Sequence, residues 1–429
     1  MTDGRRANNL GLLRLLLAGL VVVSHSPELI DGDRSREILT RLTGTLSFGE
    51  VAVDGFFVLS GYLITRSWLA SASGASYLAK RVLRIYPGYL VASLACIGIV
   101  APLAGGDLAA LRIPDALGRL LLLGAPAVPR AFEGLPYPYL NGAAWTIVYE
   151  FACYLLVAGL GCCGLLRPDR RFLAGMALLA GLCLLVWHPA LASGSPLLFK
   201  LKHGLRFALI FACGSAFFLF GERIRFSAGR AALAALLLAG LLGRPGLAEP
   251  AFVVLGGFLL LWFAFAVPPL RIGRFTQRTD LSYGVYLYAW PLQNLIVAQD
   301  RGVAPWLVTV AALTGAGLLA WLSWHLVERP ALARRDVLAR LFARIAASAG
   351  RLAGAGRGAA GTRSRRGERR SLGRRPARIQ APTRLSPSAP SRSWPVSCAD
   401  LMETPSSFVL GAGICRRCRP CVRGNTQPA

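Results

Sequence analysis

The stretch Leu10-Gly-Leu-Leu-Arg14-Leu-Leu-Leu-Ala-Gly-Leu-Val-Val-Val-Ser-His25-Ser26 has the length and composition of a membrane-spanning helix, yet it contains an arginine and a histidine. Ionisable side chains are costly in hydrocarbon, so their presence in such a helix indicates a functional site. The two positions are eleven residues apart, and eleven steps of about 100° come within about 20° of three full turns. We therefore expect both side chains on one stripe of the helix, facing a bundle interior or a water-filled cavity.

The remaining composition indicates that the bilayer is the solvent of this chain. Of its 429 residues 54% are hydrophobic, the mean hydropathy is +0.51, and apolar runs of membrane length recur along the sequence. We predict an all-α, polytopic integral membrane helix bundle of about ten transmembrane helices, with the first one retained rather than cleaved as a signal peptide. The predicted spans are residues 10–26, 49–66, 86–104, 143–165, 172–187, 204–221, 229–243, 250–267, 281–299 and 304–327.

Charge divides the chain into two parts. Residues 341–429 hold 17 arginines against three acidic residues and are dominated by Gly, Ala, Ser and Pro. We predict a transmembrane domain over residues 1–340 and a disordered, solvated basic tail over residues 341–429, with no specific nucleic-acid partner. Although Cys415, Cys418 and Cys421 imitate the spacing of metal ligands, we expect no metal. Lys and Arg are more frequent in the loops on the side of the N-terminus, which predicts cytoplasmic N- and C-termini.

Three polar residues are expected at similar depth near the outer surface. They are His25, Asp54 in the second span and Glu150 in the fourth. A histidine oriented by carboxylates can act as a general base towards a hydroxyl group. The alternative is that the three are separately satisfied polar groups that tie helices together. The motifs around Asp54 and Glu150 also supply candidate substrate-binding residues, namely Ser60, Tyr62 and Trp145.

A second group of charges lies on the cytoplasmic side. In Lys80-Arg81-Val-Leu-Arg84-Ile-Tyr86-Pro87 the two arginines are about one helical turn apart and share a face. Paired guanidinium groups suit bidentate recognition of phosphate, although this pair taken alone is better explained by ordinary anchoring at the cytoplasmic surface. Together with Arg14 they suggest a basic entry for an anionic ligand arriving from the cytosol.

Six sequence motifs, in order from Asn8 to Pro330, resemble those of the membrane-bound acyltransferase family 3. They are the Arg14–His25 pair, Asp54-Gly-Phe-Phe-Val-Leu-Ser60-Gly61, Arg81-Val-Leu-Arg84-Ile-Tyr86-Pro87, Trp145-Thr-Ile-Val-Tyr-Glu150, Ser282-Tyr283-Gly284-Val-Tyr286-Leu and Glu328-Arg329-Pro330. Any one of these motifs is weak, but six in the order of the family are highly specific. We expect a stand-alone form without the C-terminal hydrolase-like domain of many relatives.

The resemblance implies ten spans in the inner, cytoplasmic membrane and an acyl-CoA donor, usually acetyl-CoA, reached from the cytoplasm. The acyl group would pass to a hydroxyl of a carbohydrate such as an exported polysaccharide, a lipid-linked glycan or a glycolipid. By this analogy His25 is the catalytic base, Arg14 is its partner in the active channel, and Arg81 and Arg84 bind the CoA phosphates. Asp54 and Glu150 are positional candidates for orienting His25.

Two other function classes remain open from the residues alone. A non-enzymatic exporter or channel for a glycan or small anion would also need charges inside the membrane. A membrane scaffold acting through its Arg-rich tail would need only residues 341–429.

Overall fold

Helices make up all of the regular secondary structure in residues 8–188 and 195–361, which are the residues that the computed structural model describes. The helices are α1 (Leu10–Asp31), α2 (Ile38–Thr43), α3 (Phe48–Leu69), α4 (Gly74–Leu103), α5 (Ile113–Leu121), α6 (Gly142–Cys162), α7 (Arg170–Val186), α8 (Pro196–Leu219), α9 (Ala228–Leu242), α10 (Ala248–Phe265), α11 (Arg271–Arg278), α12 (Ser282–Gln299), α13 (Pro305–Ala333) and α14 (Arg335–Gly361).

Seven helices of the described residues are long and apolar enough to cross a membrane, namely α1, α3, α4, α6, α8, α10 and α13. The other three predicted spans also coincide with helices, α7, α9 and α12. However, α7 and α9 have only 17 and 15 residues, and α12 carries glutamine, asparagine and proline in its interior. The all-helical membrane fold is thus confirmed, whereas length and composition identify seven spans rather than about ten.

The first predicted span ended at Ser26, but α1 continues through Pro27 to Asp31. A proline within a helix removes one backbone donor without necessarily ending the helix. Here the helix ends where Gly32 adopts a left-handed conformation, with φ of 79°, and its N–H donates to the carbonyl of Glu28. The longer α1 places Glu28 one turn after His25 on the same face.

The predicted boundary between residues 340 and 341 falls inside α14, which packs against α4. Residues 341–361, the first part of the predicted disordered tail, are therefore helical. Leu338 and Phe342 are half-buried, as expected for the apolar face of an amphipathic helix. Residues 362–429, including the cysteine motif of the tail, lie outside the described residues.

The bundle is held at its centre by α1, which packs against α3, α12 and α13. Polar side chains join three of these helices at one level. Gln293 of α12 donates to the carbonyl of Val22 and to the hydroxyl of Ser26, each at 2.8 Å, and Thr309 of α13 also contacts the Ser26 hydroxyl at 2.8 Å. Near the start of α1, Arg14 contacts Asp280, which lies two residues before the start of α12. With contacts at both levels, α12 runs parallel to α1, and both helices begin on the same side of the bundle.

Asn9 fixes the other end of α1. Its buried side chain donates to the carbonyls of Phe263, Val267 and Pro268 at 3.1–3.3 Å and accepts from the N–H of Leu270 at 3.0 Å. Because these partners end α10 and begin the turn to α11, the start of α1 cannot shift along its axis without breaking several buried hydrogen bonds.

Helices α3 and α8 approach each other closely at Gly61 and Gly214. A Cβ atom on Gly61 would lie 2.0 Å from the carbonyl oxygen of Phe211, and one on Gly214 would lie 2.0 Å from that of Val58. Backbone packed against backbone leaves no room for any side chain, as at other small-residue contacts between membrane helices.

We expect Gly61→Ala to destabilise the bundle by about 1–3 kcal/mol, because the new methyl group must push α3 and α8 apart. Gly240→Ala in α9 is the control, since its Cβ would meet nothing within 4 Å. Thermal unfolding of the detergent-purified protein measures both. Equal unfolding midpoints for the two variants would contradict the close approach of α3 and α8.

Candidate active site

A cavity of about 280 Å³, named here the basic cavity, lies where α1, α3, α4, α6 and α14 meet. Its wall includes five cationic side chains and one carboxylate, which are Arg14, Lys80, Arg81, Arg84, Arg335 and Glu150. Three of the cations come from one turn of α4, because positions 80, 81 and 84 share a helix face. We call this side of the bundle the basic end.

Asp280, at the start of α12, holds two of these arginines. Its Oδ2 atom lies 2.7 Å from Nη1 of Arg14 and 2.6 Å from Nη2 of Arg84, and its Oδ1 accepts from the Ser282 hydroxyl at 2.6 Å. Burial would raise the pKa of Asp280, but the guanidinium groups of Arg14 and Arg84 together lower it below its ordinary value. The carboxylate is therefore ionised and joins α1, α4 and α12.

Arg84 has a second partner, Glu328, whose Oε2 lies 3.4 Å from Nη1 of Arg84. The last predicted span stops at residue 327, whereas α13 continues to Ala333. The backbone forms a π-helical turn over Trp324–Glu328, and Glu328 is buried in the bundle while the helix continues. A wide turn of this kind reorients a side chain without ending the helix.

Arg81 differs from Arg84 because no carboxylate of the described residues lies within ion-pair distance of it. Its guanidinium lies 5.8 and 5.7 Å from the ring centroids of Tyr77 and Tyr154 and 3.4 Å from the Ser67 hydroxyl. Its Nε is buried without a hydrogen-bond partner in the described residues. This arginine thus retains donors and positive charge for an anionic ligand.

Glu150 also lines the basic cavity, where its Oε1 accepts from the Ser60 hydroxyl at 3.0 Å and from the Tyr154 hydroxyl at 2.5 Å. The expected position of Glu150 beside His25 is therefore wrong. The reason is that the chain before α6 enters the bundle, where Tyr139 and Asn141 bond to α12. The helix thus begins at depth, and Glu150 lies near the basic end.

A second cavity of about 40 Å³, named here the narrow cavity, shares the wall residues Arg14 and Glu150 with the basic cavity. Phe56, Thr146 and Tyr286 also line this narrow cavity. The Tyr286 hydroxyl lies 2.6 Å from that of Thr146 and donates to the carbonyl of Ala143 at 2.7 Å. These two contacts hold the Tyr286 side chain in the wall of the narrow cavity.

His25 lies at the opposite end of the same stripe of α1, which we call the histidine end. Eleven residues of helix separate it from Arg14, a rise of about 16 Å. Nδ1 of His25 lies 3.1 Å from Oε2 of Glu28, and its ring packs edge-on against Trp290 with centroids 4.8 Å apart. Trp290 follows Tyr286 by one turn of α12. One turn of this helix thus separates a residue that lines the narrow cavity from a residue that contacts the imidazole.

Asp54 has a different partner from the one expected. It receives both hydrogen bonds from Nη2 of Arg206, at 2.7 and 2.9 Å, and Nε of Arg206 contacts Glu249 at 2.8 Å. Asp54 is fully buried, and a buried carboxylate requires a compensating charge, which α8 supplies. The expectation that Asp54 orients His25 is therefore wrong, and the carboxylate beside His25 is Glu28.

Two further predicted residues lie apart from both cavities. Tyr62 follows Ser60 by about 200° around α3 and packs against the rings of Phe218 and Phe265, with centroids 5.3 and 5.2 Å away. Trp145 packs edge-on against His203, with centroids 5.1 Å apart. The structure thus brings together Arg14, Ser60, Arg81, Arg84 and Glu150, but not Tyr62 or Trp145.

The sequence reasoning missed three members of the site. Glu28 follows His25 by three residues, a spacing that would have been informative had α1 not been expected to end before Pro27. Asp280 lies two residues before Ser282, the first residue of its motif, and an isolated acid at a predicted helix start was a usable signal. Arg335 offered no signal, because only the packing of α14 brings it to the cavity.

Comparison with known proteins identifies the family of this chain. A family model described as an acyltransferase domain, that of acyltransferase family 3, matches residues 8–325. The chain is similar to an O-acetyl transferase of Shigella phage Sf6, at 27% identity over 341 residues covering 77% of this chain and 97% of that protein. It is also similar to nodulation protein 10 of Rhizobium leguminosarum bv. viciae, at 28% identity over 379 residues covering 79% and 96%.

No solved structure matches the chain. The family model covers both the basic cavity, apart from Leu332 and Arg335, and the whole histidine end. With this match over most of its length, and with its apolar helices arranged around a charged interior, the chain belongs to acyltransferase family 3 and is a multi-pass membrane acyltransferase.

Proposed function

We propose that this protein is an O-acyltransferase that moves an acyl group, acetyl in the first instance, from acyl-CoA to a hydroxyl of a carbohydrate. The observation that carries the proposal is the basic cavity on the same stripe of α1 as His25. The name of the phage relative, an O-acetyl transferase, supports acetyl as the group and oxygen as the accepting atom.

The donor would enter from the basic end. Five cations and the carboxylate of Glu150 line the cavity wall. Arg14 and Arg84 are paired with carboxylates outside this wall, so the positive charge that favours the phosphates of CoA comes mainly from the other cations. Arg81 and Lys80 are the strongest candidates for direct contact, because Arg84 is already held by two carboxylates. Arg84 would contribute mainly by keeping this turn of α4 in place.

The acyl group would then pass along the narrow cavity towards His25. At about 40 Å³ this cavity has room for little more than a water molecule, so Phe56 and Tyr286 must rotate to admit the pantetheine arm. Arg14 lies about 16 Å along α1 from His25. We therefore assign Arg14 to the donor path rather than to the carbonyl under attack.

At the histidine end, His25 would accept the proton of the acceptor hydroxyl while the hydroxyl oxygen attacks the thioester carbonyl carbon. The new C–O bond forms, the C–S bond breaks, and the thiolate of CoA takes the proton back from the imidazolium. The products are the ester and free CoA. Trp290, whose ring contacts His25, would exclude water from one side of the reacting atoms.

The finer topology is part of this proposal. We propose ten spans, with α7, α9 and α12 completing the seven apolar helices, and the basic end and both termini in the cytoplasm of a bacterium. The acceptor would be a sugar of an exported polysaccharide, lipid-linked glycan or glycolipid. Residues 1–340 would carry the activity, so removal of residues 362–429, which leaves α14 whole, should retain it.

Arg81→Ala is expected to raise KM for acetyl-CoA at least about tenfold, since one charge-assisted contact to phosphate contributes about 1.5–3 kcal/mol. The measurement is transfer of radiolabelled acetyl groups from acetyl-CoA into membrane vesicles of expressing cells. Arg66→Ala is the matched control, because this exposed arginine near the basic end does not line the cavity. An equal effect of both substitutions would contradict the donor site.

His25→Ala is expected to lower kcat at least about a hundredfold, because general-base catalysis contributes about 10²–10⁴-fold. His325→Ala, which removes a histidine bonded to its own helix at the carbonyl of Trp321, should leave kcat unchanged.

Mass analysis of the cell-surface glycan, with and without the active protein, should show a difference of one acetyl group per modified sugar. An exporter would transfer no acetyl group with or without His25.

A further inference from the structure

Four ionisable side chains form a continuous chain of contacts at the histidine end. Oε2 of Glu28 lies 3.1 Å from Nδ1 of His25, and Oε1 of Glu28 lies 3.3 Å from Nε of Arg34. Nη1 of Arg34 in turn lies 2.9 Å from Oε1 of Glu50. The chain of contacts thus connects the imidazole to α3 through a loop outside the spans.

Glu50 is itself fixed by the start of its helix. Its Oε2 accepts from the backbone N–H of Ser47 at 2.9 Å and from the Ser47 hydroxyl at 3.1 Å, while the Ser47 hydroxyl accepts from the N–H of Glu50. This is a capping box, in which both side chains bind orphan donors of the first turn. Glu50 can therefore hold Arg34 without losing its own position.

The carboxylate of Glu28 is the central member. Its side chain is only 8% exposed, and a buried carboxylate needs a compensating charge and hydrogen bonds on both oxygens. Arg34 supplies that charge. Burial would lower the pKa of Arg34, but Glu28 and Glu50 together raise it above its ordinary value, so the guanidinium stays protonated.

The position of Glu28 determines which nitrogen of His25 carries the proton. An ionised carboxylate can only accept hydrogen bonds, so Nδ1 must donate, and the lone pair of the neutral ring then lies on Nε2. Nε2 is the nitrogen on the far side of the ring from Glu28. A base that works on an external hydroxyl needs its free lone pair there.

We propose that Glu28 is a positioning residue for His25, and that Arg34, held by Glu50, keeps Glu28 in place. This inference rests on the proposed function, in which His25 is the base. Glu28 fixes the tautomer and the ring orientation, and it stabilises the imidazolium that forms when the acceptor hydroxyl loses its proton. Arg34 and Glu50 prevent the carboxylate from turning away.

The same end of the bundle offers a matched control. Arg36 lies in the same loop as Arg34. It pairs with Asp31 at 2.5 and 2.6 Å, and Asp31 belongs to α1, as Glu28 does. The Arg36–Asp31 pair has no contact with His25 in the described residues. A general loosening of the loop would affect both arginines, whereas a role in positioning His25 affects only Arg34.

The test uses full-length protein in membrane vesicles, with labelled acetyl-CoA as donor. Glu28→Gln is expected to lower kcat at least about tenfold with KM for acetyl-CoA unchanged, because the amide cannot compensate the imidazolium. Glu28→Asp should recover part of the loss. Arg34→Gln should lower kcat by a smaller factor, and Arg36→Gln should leave kcat and KM unchanged.

Combination with His25→Ala separates positioning from stability. In that background Glu28→Gln should cause no further loss, because a residue that acts through His25 has no effect once His25 is removed. Equal thermal unfolding midpoints for Arg34→Gln and Arg36→Gln show that the comparison is not one of folding.

The activities of these variants test the positioning role of Glu28 separately from the proposed role of His25 as the base. Full activity of His25→Ala would overturn the proposed base and the inference with it. An inactive His25→Ala together with unchanged kcat for Glu28→Gln would overturn only the positioning role. Equal losses from Arg34→Gln and Arg36→Gln would overturn the part assigned to Arg34 and Glu50.

Discussion

The ion pairs of Asp280 with Arg14 and Arg84 are the interaction on which the rest of the bundle depends. An unpaired arginine in a spanning helix is costly, because its charge is removed from water without compensation. Asp280 compensates two such arginines from different helices at 2.6–2.7 Å. It thereby fixes the register of α1 against α4 and α12, and leaves Arg81 without a carboxylate partner in the described residues.

The parallel arrangement of α1 and α12 carries this register to the opposite end of the bundle. Gln293 binds Val22 and Ser26, so Trp290 must lie beside His25 once Asp280 lies beside Arg14. Two chemically different ends, one basic and one built around an imidazole and a carboxylate, are held about 16 Å apart by rigid helices. The proposed entry of donor and acceptor from opposite sides of the membrane would use this separation.

Several features of the site could be predicted from the sequence, and others could not. Arg14 and His25 share a stripe because helical periodicity is a local property, and the same reasoning placed Arg81 and Arg84 on one face. The predicted neighbours of His25 were wrong for a non-local reason. Glu150 lies deeper than its distance along the span suggests, because the chain before α6 enters the bundle and bonds to α12. Asp54 is held by Arg206, which lies 152 residues away in sequence.

The sequence by itself determined the all-helical membrane class, the acyltransferase family and the stripe on α1, because hydrophobicity, periodicity and motif order are written along one chain. Only the tertiary structure decided which opposite charges meet. A buried charge takes the partner that packing brings within about 3 Å, and that choice depends on helix depth, on a proline that does not end α1, and on the fold of α14 over the cavity. The sequence carried a local signal for Glu28 and Asp280, but only the packed helices show the contacts of Asp280 with Arg14 and Arg84 and the place of Arg335 in the cavity wall.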